Sequence, residues 1–374
     1  MFSAFDHAMM AHAIRLAELG RCITSPNPFV GCVIVKQGRI IGEGFTQKGG
    51  RPHAEAVALD RCIVSPEGAT VYSTLEPCCL HARSRGPACS DLLVAAKVAR
   101  VISAIHDPFD GVDGGGHCRL RDAGIRVETG LMEAAVRTQL RAFLSRVTRL
   151  RPWVTLKVAA SMDGKTALAN GSSKWITGSE ARRDVHRMRA AACAVMTGIG
   201  TVIADDPQLT VRDVPCDRQP LRILLDSRLD VLDDAKILEG GNVLVVTAAH
   251  NDAREKQFQT RGVDVLRVPV ESVKGKVDLF RLMESLASRG LNNIMVETGA
   301  KLNGSLIEAG VVDEIVTYVA PRILGDSARG IFVLPEFTKL SQCVEVEIID
   351  QRKIGTDLRI TAAVRGNEDV HGYR

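Results

Sequence analysis

Short apolar runs that suit strands alternate with helical patterns along the whole chain. In the first half, residues 6–19 read as an amphipathic helix, and residues 30–36, 70–74 and 100–105 read as strands. A helix opens after Pro52 and another starts close to Cys89. A basic, polar stretch, SRVTRLRP (residues 145–152), then interrupts the pattern, and Pro152 breaks any helix there. Beyond it, residues 153–159, 194–197, 221–226, 242–247, 293–297 and 314–319 read as strands. Thr177-Gly178-Ser179-Glu180 reads as a capping box opening a helix to about Ala191. The alternation predicts α/β architecture in both halves, with domains over residues 1–147 and 148–374.

Composition narrows the function classes. A chain of 374 residues is too long for one ordinary domain. Its +4 net charge is small and its Lys and Arg are scattered, so nothing calls for a nucleic-acid or membrane partner. Aromatic content of 4% is thin for stacking on single-stranded bases. The first twenty residues carry charges at intervals and read as a helix, not as a signal peptide. The ten cysteines are then expected to be mostly free in a reducing cytoplasm, a few of them on metal.

The sharpest chemistry is His53-Ala54-Glu55, followed by Pro77-Cys78 and then Cys89. One imidazole and two thiolates hold zinc with a fourth position open for water. Glu55 is two residues from His53, free to carry protons between that water and a leaving amine, as in zinc nucleobase deaminases. Cys79 would point the opposite way from Cys78 on an extended segment. His7, His12, His106, His117, His186 and His250 lack ligand-spaced partners and read as solvent or packing residues. In the second half, glycines over residues 298–305, between a strand and a helix over 306–309, expose backbone N–H groups suited to an anion. Gly198-Ile199-Gly200-Thr201 is a second such turn, so a phosphate-bearing cofactor is expected. Neither is a P-loop or a Gly-x-Gly-x-x-Gly fingerprint.

At this density of motifs the chain resembles the bifunctional deaminase/reductase family of riboflavin biosynthesis. The first half carries TSPNPFVGCVIV (residues 24–35), PHAE (52–55) and TLEPC (74–78). The second carries LKVAASMDGKTA (156–167), SKWITG (173–178), ARRDVHRMRA (181–190) and TGIGTVIADDPQLTVR (197–212). It continues with LDS (225–227), VETGAKLNGSL (296–306) and VDEIVTYVAPRILG (312–325). The resemblance implies a cytidine-deaminase-like α/β/α domain followed by a dihydrofolate-reductase-like α/β domain, using Zn2+ and NADPH. It implies deamination of 2,5-diamino-6-ribosylamino-4-pyrimidinone 5′-phosphate, then reduction of the ribosyl group to a ribityl chain. By the same resemblance, His53, Cys78 and Cys89 are expected as zinc ligands and Glu55 as proton shuttle. Asn27 and Arg83 are expected at the pyrimidine substrate. Ala159, Trp175, Thr201, Asp205, Gly299, Ala300, Lys301, Leu302, Asn303, Gly304 and Ser305 are expected at the cofactor. Lys157, Ser173, Arg189, Leu209, Arg212 and Glu297 are expected at the reductase substrate, with Lys157 and Asp205 as candidates to orient the sugar or move protons. A homo-oligomer, dimer or tetramer, is expected.

The metal loop departs from the family pattern Cys-x-His-x-Gly-Arg-Thr-Pro-Pro-Cys. Leu80 stands at the histidine position, Ala82 at the glycine, and the loop is two residues longer. Thr46 stands where the family has a second histidine, and Asp107-Pro108-Phe109-Asp110 replaces Asp-Pro-Asn-Pro. Two readings follow: His81 and the loop arginines rebuild the same pocket, or a paralogue acts on a related pyrimidine in a branch pathway. A nucleic-acid base deaminase and a purely structural zinc domain are further alternatives. The scattered charge weighs against the first of these, and Glu55 against the second.

Overall fold

A computed structural model describes residues 1–80, 86–268 and 275–366 of the chain. The chain divides into two compact units, residues 1–150 and 151–368.

In the first unit, α1 (Ala4–Glu18) leads to β1 (Gly31–Lys36), β2 (Arg39–Phe45), α2 (Ala54–Asp60) and β3 (Thr70–Leu75). Then come α3 (Cys89–Ala95), β4 (Arg100–Ile105), α4 (Gly115–Asp122), β5 (Arg126–Thr129) and α5 (Glu133–Arg149). The five strands form one sheet in the order β2-β1-β3-β4-β5. β1 is antiparallel to β2 and β3, whereas β3, β4 and β5 run parallel. Parallel neighbours need helical crossovers, and α3 and α4 supply them. α1 begins with a capping box: Ser3 Oγ accepts the Asp6 N–H, and the Asp6 carboxylate accepts the Ser3 N–H. α5 is 17 residues long and runs through the expected boundary at residue 147, ending at Arg149.

The second unit contains β6 (Trp153–Ser161), β7 (Lys165–Ala167), α6 (Ser179–Ala191), β8 (Ala194–Gly198) and α7 (Ile199–Asp205). It continues with β9 (Leu221–Leu225), β10 (Val243–Thr247), α8 (Asp252–Thr260), β11 (Val263–Arg267), α9 (Leu279–Ser288) and β12 (Asn293–Val296). α10 (Ala300–Glu308), β13 (Glu314–Ala320), β14 (Arg329–Gly330), β15 (Val346–Ile354) and β16 (Asp357–Val364) complete it. Nine strands form one sheet, β11-β10-β9-β8-β12-β6-β13-β16-β15, parallel as far as β13 and antiparallel beyond it. Val154, Leu156, Ala194, Met196, Ile294 and Val296, fully buried, make its core. Such near-continuous apolar strands are what a sheet covered on both faces requires.

Two local expectations are corrected. The capping box at α6 does not form: Gly178 is the N-cap with no side-chain bond, and its N–H instead donates to Asp357 Oδ2 at 2.7 Å. Ser179 Oγ turns to the neighbouring Glu180 carboxylate. The helix expected over residues 306–309 starts earlier, at Ala300, so Lys301 to Ser305 are helical rather than loop. The reason is tertiary. A Cβ on Gly304 would lie 1.8 Å from the Val333 carbonyl oxygen, so the glycine serves a close crossing of chain segments there.

Candidate active sites

In the first unit, His53 is the N-cap of α2, Cys78 follows β3, and Cys89 is the first residue of α3. His53 Nδ1 lies 3.4 Å from Cys78 Sγ and 3.3 Å from Cys89 Sγ. Metal bonds of ~2.1 Å to nitrogen and ~2.3 Å to sulfur at a tetrahedral angle put these atoms about 3.6 Å apart. The donor set and spacing therefore fit zinc. The Cys89 N–H also donates to Cys78 Sγ, and Ser90 donates from both its N–H and its Oγ to the Cys78 carbonyl, which fixes the loop. The Cys89 hydrogen bond and His53 draw the Cys78 thiol down to about 4. That bond, together with burial, pushes Cys89 up. Glu55, in the first turn of α2, is 3% exposed and accepts a hydrogen bond from Ser73 Oγ. Burial pushes its carboxyl up.

Cys79 turns away, its Sγ directed at the carbonyls of Gly111 and Val112. Asn27 binds the Gly49 carbonyl through Nδ2. Thr46 is buried and accepts the Val30 N–H at 3.0 Å, so it ties backbone to backbone rather than presenting a free hydroxyl. Leu80 and Phe109 both lie beside Gly111. Burial raises the Asp107 carboxyl to about 6, while its Oδ1 accepts the Phe109 N–H. His81, Ala82 and Arg83 lie outside the described residues. His106 and His117, read as solvent or packing residues, instead converge on Glu76.

In the second unit, a cleft of about 730 Å³ opens at the carboxyl ends of β6, β8 and β12, the usual ligand position in an open α/β sheet. Along β6, residues 154, 156 and 158 are buried, which turns Lys157 and Ala159 to the cleft with a period of two. Ser173, Trp175, Arg189, Thr201, Asp205, Leu209, Arg212, Glu297 and Asn303 also line it. Gly299, Ala300, Lys301, Leu302, Gly304 and Ser305 do not. Leu302 packs on the core, and Ser305 Oγ donates to the Lys301 carbonyl. Arg182, His186 and Tyr318, absent from the sequence-based set, do line the cleft. Arg182 lies 4.6 Å over the Trp175 ring, and His186 Nδ1 accepts the Arg212 N–H.

Arg189 does not stand open. Its Nε and Nη2 grip the two oxygens of Glu297, its Nη1 donates to the Thr210 carbonyl, and Lys157 Nζ reaches Glu297 Oε2 at 3.2 Å. Six cationic side chains against four acidic ones line the cleft, which suits an anionic ligand. A dinucleotide fits on one further observation: Asn303 Oδ1 is buried without a hydrogen-bond partner at the cleft.

A zinc-dependent pyrimidine deaminase joined to an NADPH-dependent reductase is the class of protein that these two units define. Residues 3–105 match the cytidine and deoxycytidylate deaminase zinc-binding region, and residues 152–360 match the RibD C-terminal domain. The riboflavin biosynthesis protein RibD of Escherichia coli is 42% identical, with 94% of this chain and 98% of that protein aligned. The solved structure of Acinetobacter baumannii RibD (form 1) superposes with a TM-score of 0.87 at 39% identity, covering 96% and 99% of the two chains. That of a diaminohydroxyphosphoribosylaminopyrimidine deaminase/5-amino-6-(5-phosphoribosylamino)uracil reductase from Thermotoga maritima gives 0.83 at 29%, with the same coverage. The chain belongs to the RibD family, the bifunctional deaminase/reductases of riboflavin biosynthesis.

Proposed function

We propose that the first unit deaminates 2,5-diamino-6-ribosylamino-4-pyrimidinone 5′-phosphate and that the second reduces the ribosyl group of the product to a ribityl chain. The convergence of His53 Nδ1 with the sulfurs of Cys78 and Cys89, with buried Glu55 beside them, carries the reading. Zinc held by these three residues supplies the Lewis acidity that makes a water nucleophilic near neutral pH. Glu55 takes the water's proton as the water attacks the carbon bearing the exocyclic amine, then delivers it to the departing ammonia. Ser73 holds the Glu55 carboxylate in place through its hydroxyl.

In the second unit NADPH supplies the reducing equivalents. Lys157 and Asp205 orient the opened sugar or move its protons, and Ser173, Leu209 and Arg212 bind the substrate. Ala159, Trp175, Thr201 and Asn303 border the cofactor. This reading is supported by the way these side chains share one cleft of net positive lining. The pair of Arg189 and Glu297 sets the floor of the substrate site, and Arg212, which is exposed, is the better placed guanidinium for a phosphate. The paralogue and nucleic-acid readings gain no support from the relatives, which are riboflavin biosynthesis proteins.

The chain acts as a homo-oligomer in the cytoplasm on this reading. None of the ten cysteines is in a disulfide, which suits a reducing compartment, and no described helix is long and apolar enough to cross a membrane. The substrate supplied with and without NADPH tests the two halves separately. Glu55→Gln should lower ammonia release by at least a thousandfold, on the scale of a lost proton shuttle and its coupled steps. NADPH oxidation with the deaminated substrate should be unchanged, and retained ammonia release would remove Glu55 from the reaction.

A further inference from the structure

Besides the His53, Cys78 and Cys89 group, one other set of metal-ligating side chains converges among the described residues: Glu76, His106 and His117. Glu76 lies just past β3, His106 just past β4, and His117 inside α4. His106 Nδ1 and His117 Nδ1 are 3.2 Å apart, and Glu76 Oε2 lies 3.5 and 3.7 Å from them. Bonds of ~2.1 Å from one ion to nitrogen and oxygen ligands at a tetrahedral angle separate the ligand atoms by about 3.4 Å. The three atoms therefore span one face of a coordination polyhedron.

The surroundings are those of held ligands. His117 Nε2 lies 2.9 Å from the buried Ser103 Oγ, and a ring N–H placed there leaves Nδ1 with its lone pair facing the cluster. Burial keeps the His117 imidazole neutral by lowering its pKa. The Glu76 carboxylate is fixed by the backbone N–H groups of Asp107, Gly114 and His117. Gly116 permits this approach, since a Cβ there would lie 1.8 Å from the Pro77 carbonyl oxygen. His106 is the exposed member, at 58% of its side chain, which leaves the open coordination positions toward water.

Glu76 Oε2 accepts the Asp107 and Gly114 N–H groups and still faces both imidazole nitrogens, so the carboxylate is held in place beside them. A cation among the three atoms would take one lone pair from each. We propose that Glu76, His106 and His117 bind a second divalent transition-metal ion of the zinc class, clipping residues 106–117 to the strand exit that carries Cys78. Two imidazole nitrogens and one carboxylate oxygen suit zinc, cobalt or nickel, and no thiolate takes part.

The metal-free full-length chain titrated with Co2+ separates the two sites spectroscopically. Thiolate ligands give sulfur-to-cobalt charge-transfer bands in the near ultraviolet, and a nitrogen/oxygen site gives only weak d–d absorption. The expected result is two equivalents, one with and one without the charge-transfer bands. His106→Gln, at an exposed position, should abolish the thiolate-free equivalent and leave the other. His117→Gln should do the same, with its fold checked by circular dichroism. A single equivalent in the wild type, or a thiolate-free equivalent that persists in His106→Gln, overturns the proposal. Loss of the thiolate bands alone would instead count against the first metal site.

Discussion

Glu297 shows how one residue sets the character of the reductase cleft. Its side chain is 11% exposed. Burial by itself would raise its carboxyl, yet the Arg189 fork and Lys157 outweigh that and hold it well below the usual carboxylate range. It is therefore a fixed negative charge at neutral pH, not a proton donor, and it anchors two cations at the end of β12. Glu297→Gln would leave both cations facing a neutral amide in a poorly solvated place. Breaking a buried pair of this kind costs about 3 kcal/mol or more. The expected outcome is a loss of about a hundredfold in kcat/KM for NADPH oxidation, with ammonia release by the first unit unchanged. A variant within twofold of wild type in NADPH oxidation would show that the pair has no part in the site.

Among the elements, α1 is pinned to the sheet by a single carboxylate. Asp6 caps its own helix with Ser3, accepts the Tyr72 hydroxyl at 2.8 Å, and takes Arg100 Nη1 at 2.8 Å. Burial opposes ionisation of Asp6, but Ser3, Tyr72 and Arg100 together win, and its pKa falls below the ordinary 3.8. A carboxyl lowered on folding stabilises fully above its unfolded pKa and loses that contribution as pH falls through and below it. The α1 amides in Asp6→Asn should exchange faster than in wild type at pH 7, by a difference of about 1.5–3 kcal/mol in local opening. The difference should be constant down to about pH 5 and shrink below about pH 4; a pH-independent difference would place the effect elsewhere. Much at this scale is legible in sequence. The apolar run over residues 100–105 coincides with β4, and His53 and Cys89, the proposed zinc ligands, sit at helix starts, where the proline and the spacing place them. Glycine-rich residues 299–305 read as loop because glycine disfavours helix, but contact with Val333 overrides that propensity. Glu76 and His117 are 41 residues apart, and only the pairing of β3 with β4 and the return of α4 bring them together. No local spacing could announce that group.

For the whole molecule, the open edge of the nine-stranded sheet bears on assembly. Among the described residues, β15 pairs with β16 on one side and ends the sheet on the other. Every residue from Val346 to Ile349 is exposed, and the side chains include Val346 at 44% and Ile348 at 61%. Leu340 and Val344 extend the same apolar stretch. Natural sheets shield such edges with charge, proline or a covering element, because an uncovered apolar strand recruits another chain. No proline interrupts residues 338–366; Glu345, Glu347, Asp350, Arg352 and Lys353 put charge along the strand, and Val346, Ile348 and Ile349 are the exposed aliphatic side chains between them. If the chain is a homo-oligomer, as proposed, a second copy pairing symmetrically at this edge would close the surface and stop further growth. Ile348→Lys places a charge in the middle of the stretch without touching either cleft. Sedimentation velocity at micromolar concentration should then show the wild type as a dimer or larger and the variant as a monomer. Removing the apolar contact and burying an unpaired ammonium would weaken the association by at least tenfold, the equivalent of about 1.4 kcal/mol. If the variant sediments as the wild type does, β15 is not the interface, and its exposed aliphatic row must be covered in some other way.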